Sequence, residues 1–286
     1  MNLIKLTSFT FPLCITLFQI RDRNTKSGPT SSKFATVNLI DPSELQPISE
    51  KELILGQGSY GRCILKSFKR LNVLVVEKQC LMQSTREMVK EAQIMQTLTH
   101  KNIPAIIGIQ LEREPISLVM EFKGEENTSI TVSKLLYCKE SNGILERVNS
   151  SLTSKDWLII CHDITDALAH IHSKGFLHCD LKSNNVLVTD KHGQIIDFGK
   201  ACDSSFPPAK KYTFHYRHIA PEVLNGTHCS KASDVYSLGQ ILHEVATKQE
   251  IPMLLVNAQK CLDINTTRRP TTTGLMASLA SLICSL

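Results

Sequence analysis

The chain has 286 residues, 42% of them hydrophobic and 21% charged, with a formal net charge of +5. That length can bury a sizeable core and fits one two-lobed domain rather than several, with the composition of an ordinary soluble enzyme. The positive balance is mild and scattered, without basic blocks or interleaved aromatics, which argues against a nucleic-acid partner. From the N-terminus, Leu6 to Ile20 is apolar and lies between Lys5 and Arg21-Asp22-Arg23. It falls short of the ~20 residues a membrane-spanning helix needs. It is also interrupted by Pro12, and no small-residue cleavage site follows. Membrane association through residues 6–20 is therefore not expected. Residues 24–48, rich in Ser, Thr, Lys, Asn and Pro, read as a linker, so residues 1–48 are assigned to an N-terminal extension.

Next comes a strand-like run, Glu52-Leu53-Ile54-Leu55, leading into Gly56-Gln57-Gly58-Ser59-Tyr60-Gly61. Glycines at this spacing let backbone N–H groups approach phosphate oxygens. A G-x-G-x-x-G run also opens dinucleotide-binding units, but there a helix follows the third glycine. Here a second strand follows (62–68), then the β-rich Val73-Leu74-Val75-Val76 leading to Lys78. The glycines therefore read as a hairpin over nucleotide phosphates. Ser84 to Leu98 has helical spacing, with Met88, Ala92, Met95 and Leu98 as an apolar stripe and Ser84 or Thr85 as N-cap. Glu91 lies mid-helix and, taken alone, reads as a surface charge.

Ser117 to Phe122 reads as a strand, and Lys155 to Ser173 as a long helix with Leu158, Ile159, Cys161, Ile164, Leu168 and Ile171 on its apolar side. The next segment carries the densest chemistry. His178-Cys179-Asp180-Leu181-Lys182-Ser183-Asn184-Asn185 precedes the apolar Val186-Leu187-Val188, and Asp197-Phe198-Gly199 follows. Two carboxylates, an ammonium and a carboxamide are the set that phosphoryl transfer requires. Further on come Ala220-Pro221-Glu222, then Ser233-Asp234-Val235-Tyr236-Ser237-Leu238-Gly239 opening a helix, and finally Arg268-Arg269-Pro270.

These motifs, in this order, resemble the protein kinase family, whose catalytic loop reads H-R-D-L-x-x-x-N and whose metal loop reads D-F-G. The resemblance implies an α+β, two-lobed fold in residues 49–286. A small β-rich N-lobe with one helix would span about 49–120, a hinge about 121–124, and a mainly helical C-lobe about 125–286. It implies ATP and Mg²⁺ as cofactors and protein substrates as partners, in the cytoplasm where ATP is supplied. Asp180 would orient the acceptor hydroxyl, and Lys182 would neutralise charge on the γ-phosphate. Asn185 and Asp197 would hold Mg²⁺, and Lys78, paired with Glu91, would contact the α- and β-phosphates. Gly56, Gly58, Ser59, Gly61 and Cys63 would surround the nucleotide, with Val76 above and Leu187 below the adenine. Met120 would take the gatekeeper position, with Glu121 and Phe122 offering backbone groups. Asp234 would cap the catalytic-loop backbone, and Glu222 would pair with Arg269.

The ten cysteines are scattered without a C-x-x-C pair and read as reduced thiols packed as small apolar groups. Cys63, Cys179 and Cys202 are expected near the nucleotide. His170, His172 and His178 lack the paired ligands of a zinc site. Lys182, two residues after Asp180, matches the form found in Ser/Thr kinases. The run Tyr216 to Glu222 resembles that of tyrosine-kinase-like Ser/Thr kinases. Three positions and one element depart from the pattern. Cys179 replaces the loop arginine, Val76 an alanine and His215 a threonine, and a helix expected after Thr247 is missing. The expectation is an active Ser/Thr protein kinase. The competing readings are tyrosine or dual specificity, and a pseudokinase scaffold that binds nucleotide or partners without transfer.

Overall fold

The computed structural model describes residues 37–58, 61–82, 84–138, 143–209 and 212–286. Ser59 and residues 6–20 lie outside them. The chain divides into two compact units, one running to Thr99 and adding Ala105–Phe122, the other made of His100–Pro104 with Lys123–Leu286. A β-sheet unit with one helix and a mainly helical unit are the two parts of the expected α+β fold.

The first unit contains β1 (Leu45–Pro47), β2 (Leu53–Gly58), β3 (Gly61–Phe68), β4 (Val73–Cys80), α1 (Thr85–Thr97), β5 (Ile106–Gln110) and β6 (Ser117–Glu121). The sheet runs β1-β3-β4-β6-β5, with β2 paired to β3, and the pairings are antiparallel. Period-two alternation sends Val75, Glu77 and Gln79 of β4 to one face and Val76, Lys78 and Cys80 to the other. Helix α1 starts at a capping box in which the Ser84 hydroxyl accepts from the Glu87 N–H and the Glu87 carboxylate accepts from the Ser84 N–H.

The linker assigned up to residue 48 is corrected in its described part. Ile40 N–H donates to the Ile109 carbonyl at 2.8 Å, and Ile109 N–H to the Asn38 carbonyl at 2.9 Å. Leu45–Pro47 pairs with β3 as β1. The cause is burial: Ile40 and Leu45 pack with Phe68, Val75 and Val119 in one apolar cluster. Each such side chain contributes roughly 1.5–3 kcal/mol when removed from water.

The second unit contains β7 (Ile130–Thr131), α2 (Val132–Tyr137), α3 (Gly143–Ser151), α4 (Ser154–Ser173), β8 (Phe176–Leu177), β9 (Val186–Thr189), β10 (His192–Ile195), β11 (Cys202–Asp203), α5 (Pro221–Leu224), α6 (Lys231–Lys248), α7 (Pro252–Cys261) and α8 (Thr272–Cys284). Short sheets β10-β9-β7 and β11-β8 carry the loops between helices. Asn102 joins His100–Pro104 to this unit, its side-chain amide donating to the Gly193 carbonyl and its own carbonyl accepting from Ile195, both at 2.9 Å. Helix α4 lies where the apolar periodicity predicted it, capped by Thr153 and Asp156, with Leu158, Cys161, Ile164, Leu168 and Ile171 buried.

The short connection after α6 is real. Ile251 N–H reaches back to the Ala246 carbonyl at 2.9 Å, and Glu250 adopts φ 53°. This is a Schellman-type ending with a buried apolar residue, and Pro252 then starts α7. Gly239 makes the tight return possible, because a Cβ there would sit 2.6 Å from the Cys261 Cβ.

Candidate active site

In the first unit, Glu91 shares a face of α1 with the buried Met88, Ala92 and Met95, so the packing of that stripe carries the carboxylate inward. Glu91 is 1% exposed, and its Oε1 lies 2.7 Å from the Lys78 Nζ. The surface-charge reading of Glu91 therefore fails. A buried pair of this kind fixes the position of the ammonium more than it stabilises the fold.

The glycines separate into two kinds. Gly61 pairs with Gly58 to close the β2–β3 hairpin. A Cβ on Gly61 would collide with the Gln79 carbonyl oxygen, so the sheet itself requires that glycine. At Gly56 and Gly58 a Cβ would meet nothing within 4 Å. Packing places no such demand there, and the exposed backbone is suited to close approach by an anion. Cys63 faces Lys78 across β3–β4, and Val76 faces Met120 across β4–β6, both nearly buried. Glu121 N–H donates to the Ala105 carbonyl at 2.8 Å, which withdraws that donor from an adenine contact. Phe122 directly follows the end of β6.

The second unit supplies the catalytic loop, held from below by Asp234. This carboxylate is wholly buried in α6 and accepts from the His178 N–H and the Cys179 N–H, both at 2.9 Å, and it lies 3.0 Å from the His172 Nε2. Burial alone would raise its pKa, but the His172 contact and the Cys179 N–H bond work against that, and it stays lowered. His178 is itself buried, and burial lowers its pKa, so it is neutral. Its Nδ1 accepts from the Asp180 N–H at 3.3 Å and its Nε2 faces the Ile196 carbonyl at 3.3 Å. Phe198 packs against the same ring, with centroids 5.2 Å apart. Cys179, at φ 62°, turns the chain so that Asp180 follows.

Asp180 sits among two lysines and a histidine. Lys182 Nζ is 2.9 Å from Oδ2, Lys200 Nζ is 2.8 Å from Oδ1, and His218 Nε2 is 3.2 Å from Oδ1. Burial pushes the carboxyl pKa upward. Hydrogen bonds from His218 and Lys200, with the charges of Lys182 and Lys200, outweigh it and hold Asp180 well below the usual carboxylate range. The group is ionised and weakly basic, suited to orienting a hydroxyl rather than to removing its proton early.

Asn185 closes a short 3-10 turn and gives its side-chain N–H₂ to the Asp180 carbonyl at 2.9 Å, which leaves its side-chain oxygen as an acceptor. That oxygen and the Asp197 carboxylate are hard donors of the type Mg²⁺ takes, so the residues fit the ion. Leu187 lies on β9, nearly buried. Below the loop, Arg269 grips Glu222 with two parallel bonds, Nη1 to Oε1 at 2.7 Å and Nη2 to Oε2 at 2.8 Å.

Lys200 and His218 were not singled out from the sequence. His215 was, as the replacement for a threonine of the family pattern, yet His215 is exposed, and it is His218 that reaches Asp180. A lysine directly after Asp-Phe-Gly was the available signal for Lys200. Ser59 lies outside the described residues. Among those residues, no helix is long and apolar enough to cross a membrane.

Comparison with known proteins agrees with this geometry. The human tyrosine-protein kinase TXK is 28% identical over 218 residues, 74% of this chain and 38% of its own length. The serine/threonine-protein kinase pakB of Dictyostelium discoideum is 27% identical over 256 residues, 86% of this chain and 28% of its own length. The Drosophila melanogaster tyrosine-protein kinase Src64B is 28% identical over 213 residues, 72% of this chain and 36% of its own length. The chain thus spans less than two fifths of the length of each of these relatives. Residues 49–269 match the protein kinase domain as a family, and with the catalytic loop, the Lys78–Glu91 pair and the Glu222–Arg269 clamp in the matching order, this chain belongs to the protein kinases.

Proposed function

We propose that this chain transfers the γ-phosphoryl group of ATP to serine or threonine hydroxyls of protein substrates, acting in the cytoplasm. The observation that carries the reading is the ionised Asp180 with Lys182 on its Oδ2 and the Asn185 amide on its carbonyl. Asp180 accepts the acceptor hydroxyl's proton as a hydrogen bond and aims its oxygen along the line of attack. Lys182, already 2.9 Å from that carboxylate, is in reach of charge building on the transferred group. The acceptor hydroxyl competes with Lys200 and His218 for Oδ1, so these two residues bear on how it enters.

In the first unit, Glu91 holds the Lys78 ammonium for the α- and β-phosphates. The Gly56 and Gly58 backbone is open to phosphate oxygens. Asn185 and Asp197 would hold Mg²⁺, which supplies charge neutralisation of the phosphates when bound. Cys63, Val76, Met120, Glu121, Phe122 and Leu187 are assigned to the nucleotide base by the family resemblance. Relatives named as tyrosine kinases and as serine/threonine kinases both support transfer. Lys182 supports the Ser/Thr acceptor.

The test is Mg²⁺-dependent transfer of labelled γ-phosphate to a generic acceptor protein, with Asp180→Asn as control, followed by phosphoamino-acid analysis. Phosphoserine or phosphothreonine, lost in the variant, is the expected result. Phosphotyrosine alone would reassign the acceptor, and no transfer by a folded, nucleotide-binding chain would make it a scaffold.

A further inference from the structure

The three thiols around the catalytic loop are not used by this chemistry. Cys179 Sγ lies 3.5 Å from Cys202 Sγ, both residues being buried. They share one apolar cluster with Leu177, and Cys229 packs against it. Cys179 and Cys229 also bring their sulfurs within 4.8 Å of each other, beside an Asp234 oxygen. The backbone explains the meeting. Strand β11 pairs Cys202 with Leu177 of β8, two residues before Cys179, whose φ of 62° turns its side chain back into the same cluster. Cys229 arrives from the segment between α5 and α6 and is only half-buried. A cavity of about 10 Å³ touches Cys179 and Cys229 together with Tyr212, Ile219 and Val223.

Two chemistries suit clustered thiols: a soft metal ion, or oxidation. The carboxylate available to a metal is Asp234, and its oxygens already accept the His178 and Cys179 N–H groups. A metal drawing on that carboxylate would compete with the bonds that shape the catalytic loop. Oxidation meets no such competition, since the Cys179 and Cys202 sulfurs are in contact and only have to close to bonding distance.

We propose that Cys179, Cys202 and Cys229 form a peroxide-responsive thiol site that ends in a Cys179–Cys202 disulfide, with Cys229 as the point of entry. Hydrogen bonding with the Cys202 and Cys229 thiols, burial and the Asp234 charge push the Cys179 thiol far up, so it is not the first to react. The half-buried Cys229 takes the first oxygen: its thiol and a hydroperoxide give a sulfenic acid and an alcohol, or water from hydrogen peroxide. The Cys179 sulfur then bonds to the Cys229 sulfur, and its proton leaves with the sulfenic hydroxyl as water. The Cys202 sulfur next bonds to Cys179, and its proton passes to the departing Cys229 sulfur, which returns as a thiol. The net change is two thiols to one disulfide, with one peroxide reduced. The bridge ties the residue before Asp180 to the strand after Asp197-Phe198-Gly199. It goes beyond the kinase reading and does not depend on phosphate transfer.

The full chain is treated with hydrogen peroxide, alkylated, digested without reductant and mapped by mass spectrometry, with metal content measured beforehand. A Cys179–Cys202 linked peptide that disappears with dithiothreitol is expected. Cys202→Ser should instead accumulate a Cys179–Cys229 link. Cys229→Ser should slow bridging by at least about tenfold, because the remaining two thiols are buried away from peroxide. Absence of any link in the native chain, with Cys229 driven to sulfinic acid, would overturn the proposal, and that result needs no variant to fold. Bridging in Cys229→Ser at the native rate would overturn the entry role. One equivalent of zinc in the untreated protein would assign the thiols to metal instead.

Discussion

Two of the carboxylates that face lysines, Glu91 and Asp180, are built differently. Glu91 is 1% exposed and meets Lys78 at 2.7 Å, a pair fixed by one strand and one helix. Asp180 meets Lys182, Lys200 and His218, which come from three different segments of irregular chain. The first arrangement sets where one ammonium sits. The second keeps a carboxylate ionised at neutral pH and contested, so that its availability depends on where the chain after Asp197 runs. A pair held by regular elements is a fixed tool, whereas a carboxylate held by loops is a point of control.

The largest effect expected is that of Asp180→Asn, which should lower phosphate transfer by about 10³-fold, read as labelled phosphate incorporated per unit time. Activity within tenfold of the native chain would remove Asp180 from the chemistry. Next is Asp234→Ala. It strips the His178 and Cys179 N–H groups and His172 of their buried acceptor, and should cost about 3–5 kcal/mol of stability in urea unfolding. An unchanged midpoint would mean that the loop carrying Asp180 stands without its platform. Lys78→Met should reduce transfer by about 10²-fold and also lower urea stability, since it takes the lysine away from a carboxylate that is 1% exposed.

The smallest effect discriminates most between the two carboxylates. Lys200→Met removes a cation that lowers the Asp180 pKa, so that pKa must rise. Transfer requires the ionised form, so the acid limb of the pH–rate profile should move to higher pH, with the neutral plateau retained or raised. The same profile after Lys78→Met should keep its acid limb, because Lys78 is not among the groups bonded to Asp180. If both variants shift the limb equally, the distinction between the two sites fails.

Much of this was legible in the chain. Alternation in β4 and the apolar stripe of α1 placed Lys78 on a strand and Glu91 on a helix, while the Lys78–Glu91 and Glu222–Arg269 pairings were implied by the family resemblance. The placements rest on period, which regular elements obey. The Lys200 and His218 contacts were not legible, because they depend on the path of an irregular segment that carries no period. His215 was chosen by position, while the structure turns it outward and brings in His218 three residues later. Residues 37–48 were misread for a related reason. Val37, Ile40 and Leu45 lie in a short, mostly polar stretch, too brief to show a period, yet each is buried in the first unit.

The corner after α6 has a consequence for what the chain can display. Three residues, Gln249, Glu250 and Ile251, return the chain directly into α7, leaving Val256 of that helix 53% exposed and Met253 38% exposed. Lengthening this turn would be a small thermodynamic matter, since each doubling of a flexible loop raises its closure free energy by only about 0.6 kcal/mol. The brevity of the link is therefore not demanded by stability. It decides surface shape, trading a protruding segment for a bare helix flank, and the corner is a natural place to graft a segment without disturbing the residues around Asp180.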